Sequence, residues 1–302
     1  MNAPTSSSTS PSIMHGMQMP DVAGWSERVI VAVGQNPSSF TGPGTNTYLV
    51  GTGSRRILID TGDGRPEYLP ILDQALEKAG CTIQEIILTH GHIDHIGGVQ
   101  SIHQRYGVCP VSKMPWPEID ARYAFEITTL EDACVIESEG ARLHGIHTPG
   151  HAPDHLCFLL EQENTLFSGD NVLGIGTTVI PTDTGDLAQY MTSLGRLLER
   201  EPVGIYPAHG PFIKNGTEKL RDYIAHRWER EEQILSALAE GIHKIEAIVK
   251  IIYAAYPTFL HAAAGQSVGS HLLKLERELR VRREGESEAL PTEVSWYRVT
   301  EH

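Results

Sequence analysis

The sequence predicts an α/β (α+β) fold in which a region of alternating strands and helices is followed by a mainly helical C-terminal region. Short apolar runs bounded by Gly, Pro, Asn and Asp recur from about residue 29 onwards, as in "RVIVAVGQN" and "TNTYLVG", and such runs are typical of strands. Beyond residue 214 the apolar residues recur mainly at helical spacing. With 302 residues, 40% of them hydrophobic, the chain can build one large domain or a large and a small one.

The first 24 residues are rich in Ser, Thr and Pro, and no Lys or Arg precedes Arg28. This composition predicts a disordered tail over residues 1–24, and the lack of basic residues argues against a secretory signal or a mitochondrial presequence. No apolar run approaches the roughly 18 residues of a membrane helix, so we expect no membrane span.

The cysteines and the net charge narrow the class of protein further. Four cysteines lie far apart with no CxxC pair, which predicts reduced thiols and a cytoplasmic location rather than a disulfide framework or a thiolate metal site; they are Cys81, Cys109, Cys134 and Cys157. The formal charge of −14 argues against a general binder of nucleic acid or anionic membranes, because phosphate contacts need an excess of Lys and Arg. A local basic patch remains open.

The elements of the N-terminal region follow in order along the chain. Strands "RVIVAVGQN" and "TNTYLVG" are joined by a Gly-Pro loop around Gly42, and "RRILIDTGDG" is a third strand that ends in a turn. The segment "EYLPILDQALEKAG" has one apolar face and predicts a helix that ends at Gly80. Further apolar runs lie in "EIILT", "ARLHGIH", "HLCFLL" and "VGIYP", and "DLAQYMTSLGRLLER" predicts a core-packing helix.

The stretch "THGHIDHIGG" directly follows the strand "EIILT" and contains four metal-ligand side chains within six residues, His90, His92, Asp94 and His95. Groups crowded in this way repel when charged and compete for hydrogen bonds when neutral, so a bound cation is predicted. Other His and Asp residues also follow apolar runs at Asp60, His151, Asp170 and His209. Since strand ends along one sheet edge converge in space, these residues predict a single metal site. A hydrogen-bonded histidine cleft without metal is the less favoured alternative.

The run HxHxDH, with "ILIDTG" before it and "TPGH", "SGD" and "PAHG" after it, strongly resembles the metallo-β-lactamase superfamily over residues 55–212. The resemblance implies an αββα metallo-β-lactamase sandwich with a two-metal cleft at one sheet edge. It implies a first metal held by His90, His92 and His151, a second held by Asp94, His95 and His209, and Asp170 as the bridge. Asp94 and Asp170 would be the catalytic carboxylates. Asp60 would orient a ligand imidazole, with His155 as a further supporting group.

Imidazoles combined with carboxylates suit zinc, manganese or iron, whereas calcium and magnesium prefer oxygen ligands. We therefore expect two divalent metal ions, with Zn²⁺ favoured and Mn²⁺ as the alternative. Zinc lowers the pKa of bound water to about 7, which provides a nucleophile without a serine or cysteine. The aspartate at position 170 also disfavours antibiotic hydrolysis, because true β-lactamases of this superfamily typically lack it.

The C-terminal region is predicted to contain three helices, in "NGTEKLRDYIAHRWEREEQILSALAEG", "KIEAIVKIIYAAYP" and "GSHLLKLERELRVRREG", and a short strand in "EVSWYRV". This pattern resembles the winged-helix-like cap of the β-lactamase-like protein 2 group. We therefore place the catalytic domain at residues 25–214 and a helical winged-helix-like domain at 215–302. The cluster Arg277, Arg280, Arg282 and Arg283 is interleaved with glutamates, which favours a solvated helix over RNA binding; docking of an acidic partner stays open.

Two activities fit the predicted site. The chain resembles the fungal lactamase-like proteins that accompany non-reducing polyketide synthases, which implies a thioesterase that releases a polyketide from an acyl carrier protein by hydrolysis or Claisen-type cyclisation. Its partners would be the acyl-carrier-protein-bound thioester or the synthase. The alternative is an endoribonuclease acting on single-stranded RNA, like the animal β-lactamase-like protein 2 group. The net charge and the uncharged Gly91 and Ile93 within "HGHIDH" favour the thioesterase.

A purely structural metal protein is a third class, and it is disfavoured because seven ligands on two metals leave coordination open for substrate. The Gly- and Thr-rich segment that follows Asp170, with Gly174, Gly176, Thr177 and Thr178, is predicted either to line the acyl pocket or to be an ordinary connector.

Overall fold

A computed structural model describes residues 17–285 and 289–299. Its first sheet has seven strands in the spatial order β1 to β7. The strands are β1 (Val22–Gly24), β2 (Val29–Val33), β3 (Asn46–Val50), β4 (Arg55–Ile59), β5 (Thr82–Ile87), β6 (Val111–Lys113) and β7 (Thr128–Thr129). Strands β1 to β4 pair antiparallel, and β4 to β7 pair parallel. The parallel crossovers carry α1 (Tyr68–Ala79), α2 (Ile93–Ile96), α3 (Val99–Tyr106) and α4 (Pro117–Asp120).

The second sheet has five strands in the order β12-β11-β10-β9-β8. They are β8 (Val135–Ser138), β9 (Ala141–His147), β10 (Leu156–Leu160), β11 (Thr165–Gly169) and β12 (Gly204–Pro207). Helix α5 (Leu187–Leu198) makes the crossover between the parallel strands β11 and β12. Its first turn is capped by the Asp186 carboxylate, which accepts hydrogen bonds from two backbone N–H groups.

The two sheets pack face to face, with helices on both outer faces. Residues that alternate along the strands divide between the layers: Val31 and Phe158 lie in the core between the sheets, whereas Leu58 packs against α1 on the outer face of the first sheet. On the outer face of the second sheet, Leu166 packs against α5 residues such as Tyr190. The four layers confirm the αββα sandwich expected from the sequence.

Helix α1 shows how closely local sequence predicts this part of the fold. Leu72 and Leu76 form the buried face, and Gly80 ends the helix at φ 59° with its N–H bonded to the carbonyls of Glu77 and Leu76. Glycine adopts this left-handed conformation at little cost. The helix and its end are as predicted.

The C-terminal region contains α6 (Gly216–Ala239), α7 (Ile245–Ile252), a short 3₁₀ turn (Thr258–Leu260), α8 (His261–Arg277) and the hairpin β13 (Val281–Glu284) and β14 (Ser295–Arg298). Helix α6 belongs to two cores. Its N-terminal half contributes Leu220 and Tyr223 to the layer on the second sheet, and its C-terminal half contributes Ile234 and Leu238 to the core of the C-terminal region. The expected boundary at residue 215 thus falls just before a helix that both units share.

Two expectations about chain segments were wrong. Residues 22–24, assigned to the disordered tail of residues 1–24, form β1 and pair with β2; residues 1–16 lie outside the described part of the chain. The third C-terminal helix was predicted to run through "RVRREG", but α8 ends at Arg277 and Val281–Glu284 is a strand. The reversal occurs at Leu279, whose φ is 59°, and Val281 is then buried in the same core as Trp296.

Ion pairs around the buried Glu231 join α6, α8 and the residue just before β13. The Glu231 carboxylate accepts hydrogen bonds from Lys274 at 2.8 Å and Arg280 at 2.6 Å, and its side chain is 2% exposed. Burial works against ionisation of Glu231, but the nearby His271 and the charged, hydrogen-bonded Lys274 outweigh it and lower its pKa to about 2. Among the described residues, none of the helices has the length and hydropathy needed to cross a bilayer.

Candidate metal centre

Seven His and Asp side chains meet at one edge of the sandwich, and each lies on a segment that follows a strand. His90 follows β5, with His92 just before α2 and Asp94 and His95 inside it. His151, Asp170 and His209 follow β9, β11 and β12 in turn. The structure thus brings together all seven residues that the sequence predicted to be ligands.

Three imidazoles form the first group, His90, His92 and His151. Nδ1 of His92 lies 2.9 Å from Nε2 of His90 and 3.0 Å from Nε2 of His151. The candidate ligand atoms of this group all lie within 4.8 Å of one another. A single cation can therefore contact all three nitrogens.

The second group contains Asp94, His95 and His209. Oδ2 of Asp94 lies 3.4 Å from Nε2 of His95 and 3.4 Å from Nε2 of His209. Asp170 lies between the two groups: its Oδ2 is 3.4 Å from His151 Nε2, and its Oδ1 is 3.1 Å from His209 Nε2. Each oxygen of this carboxylate faces a different group, which is the arrangement that a bridging ligand requires.

Hydrogen bonds fix which nitrogen of two imidazoles faces the cluster. Nδ1 of His151 lies 2.9 Å from the carbonyl oxygen of Val179. Since a carbonyl only accepts, Nδ1 carries the proton and the Nε2 lone pair points into the cluster. Nδ1 of His95 donates in the same way to Oδ2 of Asp60 at 2.8 Å, which leaves His95 Nε2 facing Asp94 and Asp170.

Asp60 and His155 lie directly behind the cluster, as the resemblance implied. The Asp60 carboxylate is buried and also accepts from the backbone N–H and the hydroxyl of Thr89. Its φ of 59° is a left-handed conformation that Asp tolerates better than most residues. Nε2 of His155 accepts the backbone N–H of Asp170 at 3.1 Å, while its Nδ1 lies 2.9 Å from the Thr148 hydroxyl. His155 thus supports the backbone that carries Asp170.

The protonation preferences of the cluster divide its histidines into two kinds. Burial and neighbouring imidazoles lower the pKa of His90 and bring that of His92 to about 4, so both are neutral. Burial opposes protonation of His209 as well, but the charges of Asp170 and Asp94 outweigh it and raise its pKa to about 9. The carboxylate side of the cluster therefore attracts positive charge strongly, while the His90 side offers neutral lone pairs.

The donor set fits a pair of divalent cations. Within the part of the chain that the structure describes, the buried Nε2 of His95 has no hydrogen-bond partner, although a buried polar atom normally has one. The three nitrogens of the first group also face one another across about 3 Å, where one proton cannot satisfy all of them. Cations between these atoms would satisfy both features, and the mixture of imidazole and carboxylate suits zinc, manganese or iron.

Sequence reasoning missed a buried ion pair beneath the cluster. Nζ of Lys113 lies 2.9 Å from Asp154 and 2.6 Å from Asp120, and neither Lys113 nor Asp154 is exposed. A Cβ on Gly91, between His90 and His92, would lie 3.3 Å from the Asp154 carboxylate. Asp154 of this pair therefore packs closely against the backbone of the metal motif at Gly91. No local pattern marks Lys113 in the sequence, whereas Asp154 lies within "HAPDH".

Other residues discussed from the sequence lie outside the ligand cluster. His144 hydrogen-bonds Glu161 at the surface, and His147 contacts the Pro153 carbonyl. Cys157 is a buried core residue. The four arginines of the C-terminal cluster are all engaged in ion pairs: Arg277 with Asp186, Arg280 with Glu231, Arg282 with Glu284 and Arg283 with Glu276.

Known proteins resemble this chain over most of its length. The family model of the metallo-beta-lactamase superfamily matches residues 40–209, and that of a beta-lactamase associated winged helix domain matches residues 245–291. The Drosophila melanogaster protein named beta-lactamase-like protein 2 homolog is 39% identical over 277 residues, which cover 87% of this chain and 93% of the relative. Lactamase-like protein adaB of Aspergillus niger is 36% identical over 301 residues, with 93% and 89% covered.

A third relative, the atrochrysone carboxyl ACP thioesterase of Claviceps purpurea, is 38% identical over 225 residues, which cover 73% of this chain and 68% of the relative. Among solved structures, a beta-lactamase domain protein from Burkholderia ambifaria superposes with a TM-score of 0.78 over 94% of this chain and 96% of that one. Its identity is 18%, so this likeness concerns the fold alone. From its sequence relatives, its four layers and its winged-helix region, the chain belongs to the metallo-β-lactamase superfamily of hydrolases.

Proposed function

We propose that this protein is a dinuclear metal-dependent thioesterase that releases a polyketide chain from an acyl carrier protein, by hydrolysis or by Claisen-type cyclisation. The observation that carries the proposal is the set of apolar residues beside the metal cluster, where, among the described residues, no lysine or arginine lies within 4.0 Å of Asp94 or Asp170. The Claviceps purpurea relative is named as an acyl carrier protein thioesterase, which supports the same class of substrate. The thioester-bearing carrier protein, or the synthase that contains it, would be the partner, and the cytoplasm the location.

The proposed ligands are His90, His92 and His151 for one cation and Asp94, His95 and His209 for the other, with Asp170 shared between them. Zinc is favoured, and manganese is the alternative. Bound divalent cations of this kind polarise a carbonyl oxygen and lower the pKa of water towards neutrality.

The chain's own residues prepare the site for this chemistry. The Val179 carbonyl and the Asp60 carboxylate hold His151 and His95 with their Nε2 lone pairs facing the cluster. Asp94 has the more exposed of the two catalytic carboxylates, with 21% of its side chain accessible. Its Oδ2 faces His95 and His209, so its other oxygen, Oδ1, is the one left to hold a proton during acyl transfer.

Three apolar side chains lie on segments that carry or adjoin the cluster. Ile93 lies between His92 and Asp94 and is 60% exposed. The Trp116 ring lies 5.9 Å from that of His92, and the exposed Phe40 belongs to the loop before Thr45, whose hydroxyl lies 3.3 Å from Asp94. Such surfaces bind an acyl chain by burial of apolar area.

Charge and leaving-group chemistry also favour a thioester. In the described residues, neither Asp94 nor Asp170 has a lysine or arginine within 4.0 Å, whereas a site for phosphodiesters would benefit from cations near the phosphate. A thiol has a pKa of about 8.5, so a thiolate departs without a strong general acid. This agrees with the lack of such an acid among the motif residues.

The second candidate is an endoribonuclease acting on single-stranded RNA. It is favoured by the match to beta-lactamase-like protein 2 homolog over 93% of that relative's length, and two metals also suit a phosphodiester displacement. Against it, the arginine cluster of the C-terminal region is neutralised by intramolecular ion pairs.

The two candidates are separated by assaying zinc- or manganese-loaded protein on an acyl thioester of an acyl carrier protein and on single-stranded RNA. We expect turnover of the thioester, inhibition by a chelator, and loss of activity in Asp170→Ala. Ile93→Lys should lower kcat/KM for the thioester by about tenfold, since Ile93 would lose part of the roughly 1.5–3 kcal/mol of its full burial. Val108→Lys, at an apolar residue that is 87% exposed and remote from the cluster, is the matched control.

Turnover of RNA without turnover of the thioester would refute the thioesterase and support the nuclease. Equal effects of the two lysine substitutions would instead remove the argument from the apolar residues beside the cluster.

A further inference from the structure

The segment between Asp170 and α5, residues 171–186, is held by the C-terminal helices. We refer to it as the site segment. The Tyr223 hydroxyl of α6 accepts the N–H of Leu173 at 2.9 Å and lies 2.9 Å from the Gly176 carbonyl. From α8, the Ser270 hydroxyl donates to the Ile180 carbonyl at 2.5 Å. The Gln266 side-chain oxygen accepts from the N–H and the hydroxyl of Thr182, at 3.0 and 2.7 Å.

Arg227 of α6 contacts the site segment next to Val179, whose carbonyl is the hydrogen-bond partner of the candidate ligand His151. Its Nη2 donates to the Thr178 carbonyl at 2.6 Å, and its Nη1 lies 3.4 Å from the Ser267 hydroxyl. The guanidinium carbon lies 5.1 Å from the centre of the Tyr190 ring. Arg227 is only 3% exposed, so this guanidinium is fixed from several sides.

The surroundings of Arg227 do not explain it as a stabilising ion pair. Among the described residues, no carboxylate lies within 4.0 Å of its guanidinium, and its Nε has no hydrogen-bond partner. A buried charge without a counter-ion costs free energy that an apolar side chain of similar size would avoid. Its shortest hydrogen bond, to the Thr178 carbonyl, therefore indicates that Arg227 serves to hold this part of the site segment.

That hydrogen bond leads to His151 within two residues. The hydroxyl of Thr178 lies 3.2 Å from Nδ1 of His151, and the carbonyl of the next residue, Val179, lies 2.9 Å from the same nitrogen. Arg227 thus holds the peptide group between Thr178 and Val179, the two residues that contact Nδ1 of His151. If this peptide moved, Nδ1 would lose its acceptor and the lone pair of Nε2 would no longer be fixed towards His92.

We propose that Arg227 is a positioning residue for the metal centre: by holding the Thr178–Val179 peptide from α6, it fixes the tautomer and orientation of His151. The inference rests on the proposed function, because it takes His151 as a ligand. It assigns helix α6 a specific role, since the residue that completes the support of a ligand in the sandwich lies on this helix.

The test compares Arg227→Met with Arg230→Met. Arg230 lies one turn further along the same helix, is also buried, and stacks on Tyr253 at 4.2 Å. It has no hydrogen bond to the site segment in the described residues; its guanidinium bonds Gln233. Both variants therefore lose a buried arginine, but only one loses the proposed contact.

Zinc binding is measured by elemental analysis and by competition with a chromogenic chelator. Imidazole nitrogen signals of histidine-labelled protein report the His151 tautomer, with His151→Ala for assignment. We expect Arg227→Met to bind one of the two zinc ions about 10–100-fold more weakly, as is usual when the support of a ligand is lost. Its His151 signals should show mixed tautomers, and Arg227→Lys should recover part of the affinity. Arg230→Met should bind both ions as the wild type does.

Wild-type zinc affinity and an unchanged His151 signal in Arg227→Met would overturn the inference, and so would an equal loss of affinity in Arg230→Met. If Arg227→Met does not fold by circular dichroism, the same comparison is made between Arg227→Lys and Arg230→Lys. A wild-type protein that binds no zinc or manganese would refute the proposed function itself, which distinguishes the two failures.

Discussion

Asp60 offers the sharpest test of how the metal centre is built, because its carboxylate can be removed or merely neutralised. It accepts hydrogen bonds from the Thr89 N–H at 2.8 Å, the Thr89 hydroxyl at 2.9 Å and His95 Nδ1 at 2.8 Å. In Asp60→Ala the Thr89 hydroxyl can rotate away, whereas the Thr89 backbone N–H and His95 Nδ1 are fixed in place and lose their acceptor. Two buried donors then remain unpaired.

Each unpaired buried donor costs about 1–3 kcal/mol, and placing Ala at a φ of 59° adds about 1–2 kcal/mol. We therefore expect Asp60→Ala to lower the free energy of unfolding of the metal-free protein by about 3–8 kcal/mol, measured by urea denaturation. Asn tolerates the same φ and keeps one accepting oxygen. We expect Asp60→Asn to lose only about 1–2 kcal/mol, the cost of one poorer hydrogen bond.

Asp60→Asn should lose much metal affinity although it keeps most of the free energy of unfolding. If the Asn oxygen accepts from Thr89, its amide group faces His95 Nδ1, so that nitrogen must lose its proton and Nε2 must gain it. The lone pair aimed at the second group is then lost. We expect Asp60→Asn to fold but to bind the second zinc ion about 10–100-fold more weakly, by elemental analysis and chelator competition. Tight binding of two zinc ions by Asp60→Asn would refute this reasoning.

Three further predictions concern the support of the fold. Lys113→Met leaves the buried carboxylate of Asp154 and the partly exposed one of Asp120 without their counter-ion and should cost about 3–5 kcal/mol in chemical denaturation; a loss below about 1 kcal/mol would contradict it. Gly98→Ala would bring a Cβ within 2.0 Å of the Thr61 carbonyl and should cost at least about 1–3 kcal/mol, whereas Gly195→Ala meets no atom within 4 Å and should gain up to about 1 kcal/mol. The pKa of Glu231 is lowered to about 2, so its ionised carboxylate stabilises the fold by at most about 3 kcal/mol. This stabilisation is complete above the ordinary pKa near 4.5 and is lost as the pH falls towards 2. The urea midpoints of wild type and Glu231→Gln should therefore converge over that pH range, and midpoints that stay parallel would exclude a stabilising role of the ionised Glu231.

The convergence of the seven proposed ligands could be predicted from the sequence because four of them share one short motif and the other three each follow an apolar run that forms a strand. His90 to His95 lie within one loop and one helical turn, and His209 directly follows β12. Of the residues that support them, Asp60 and His155 lie in or beside the motifs and were expected, whereas Lys113 and Arg227 could not be predicted. Lys113 and Arg227 are single charged residues on separate elements, and only the packing of α4 and α6 reveals what they contact.

The hairpin of the C-terminal region shows a different limit. Arg and Glu are good helix formers, so "RVRREG" continues the apparent period of α8. The strand is decided by distant contacts instead: β13 pairs with β14, and Val281 and Trp296 are buried together. Tertiary packing of this kind outweighs local propensity.

Helix α6 has a consequence for how the molecule loses its structure. With 24 residues it extends about 36 Å, and its two halves complete two different cores through Tyr223 and Leu238. Neither core can melt without uncovering half of this helix and so weakening the other. Heat should therefore denature the sandwich and the winged-helix region in one cooperative transition, although two family models describe them separately.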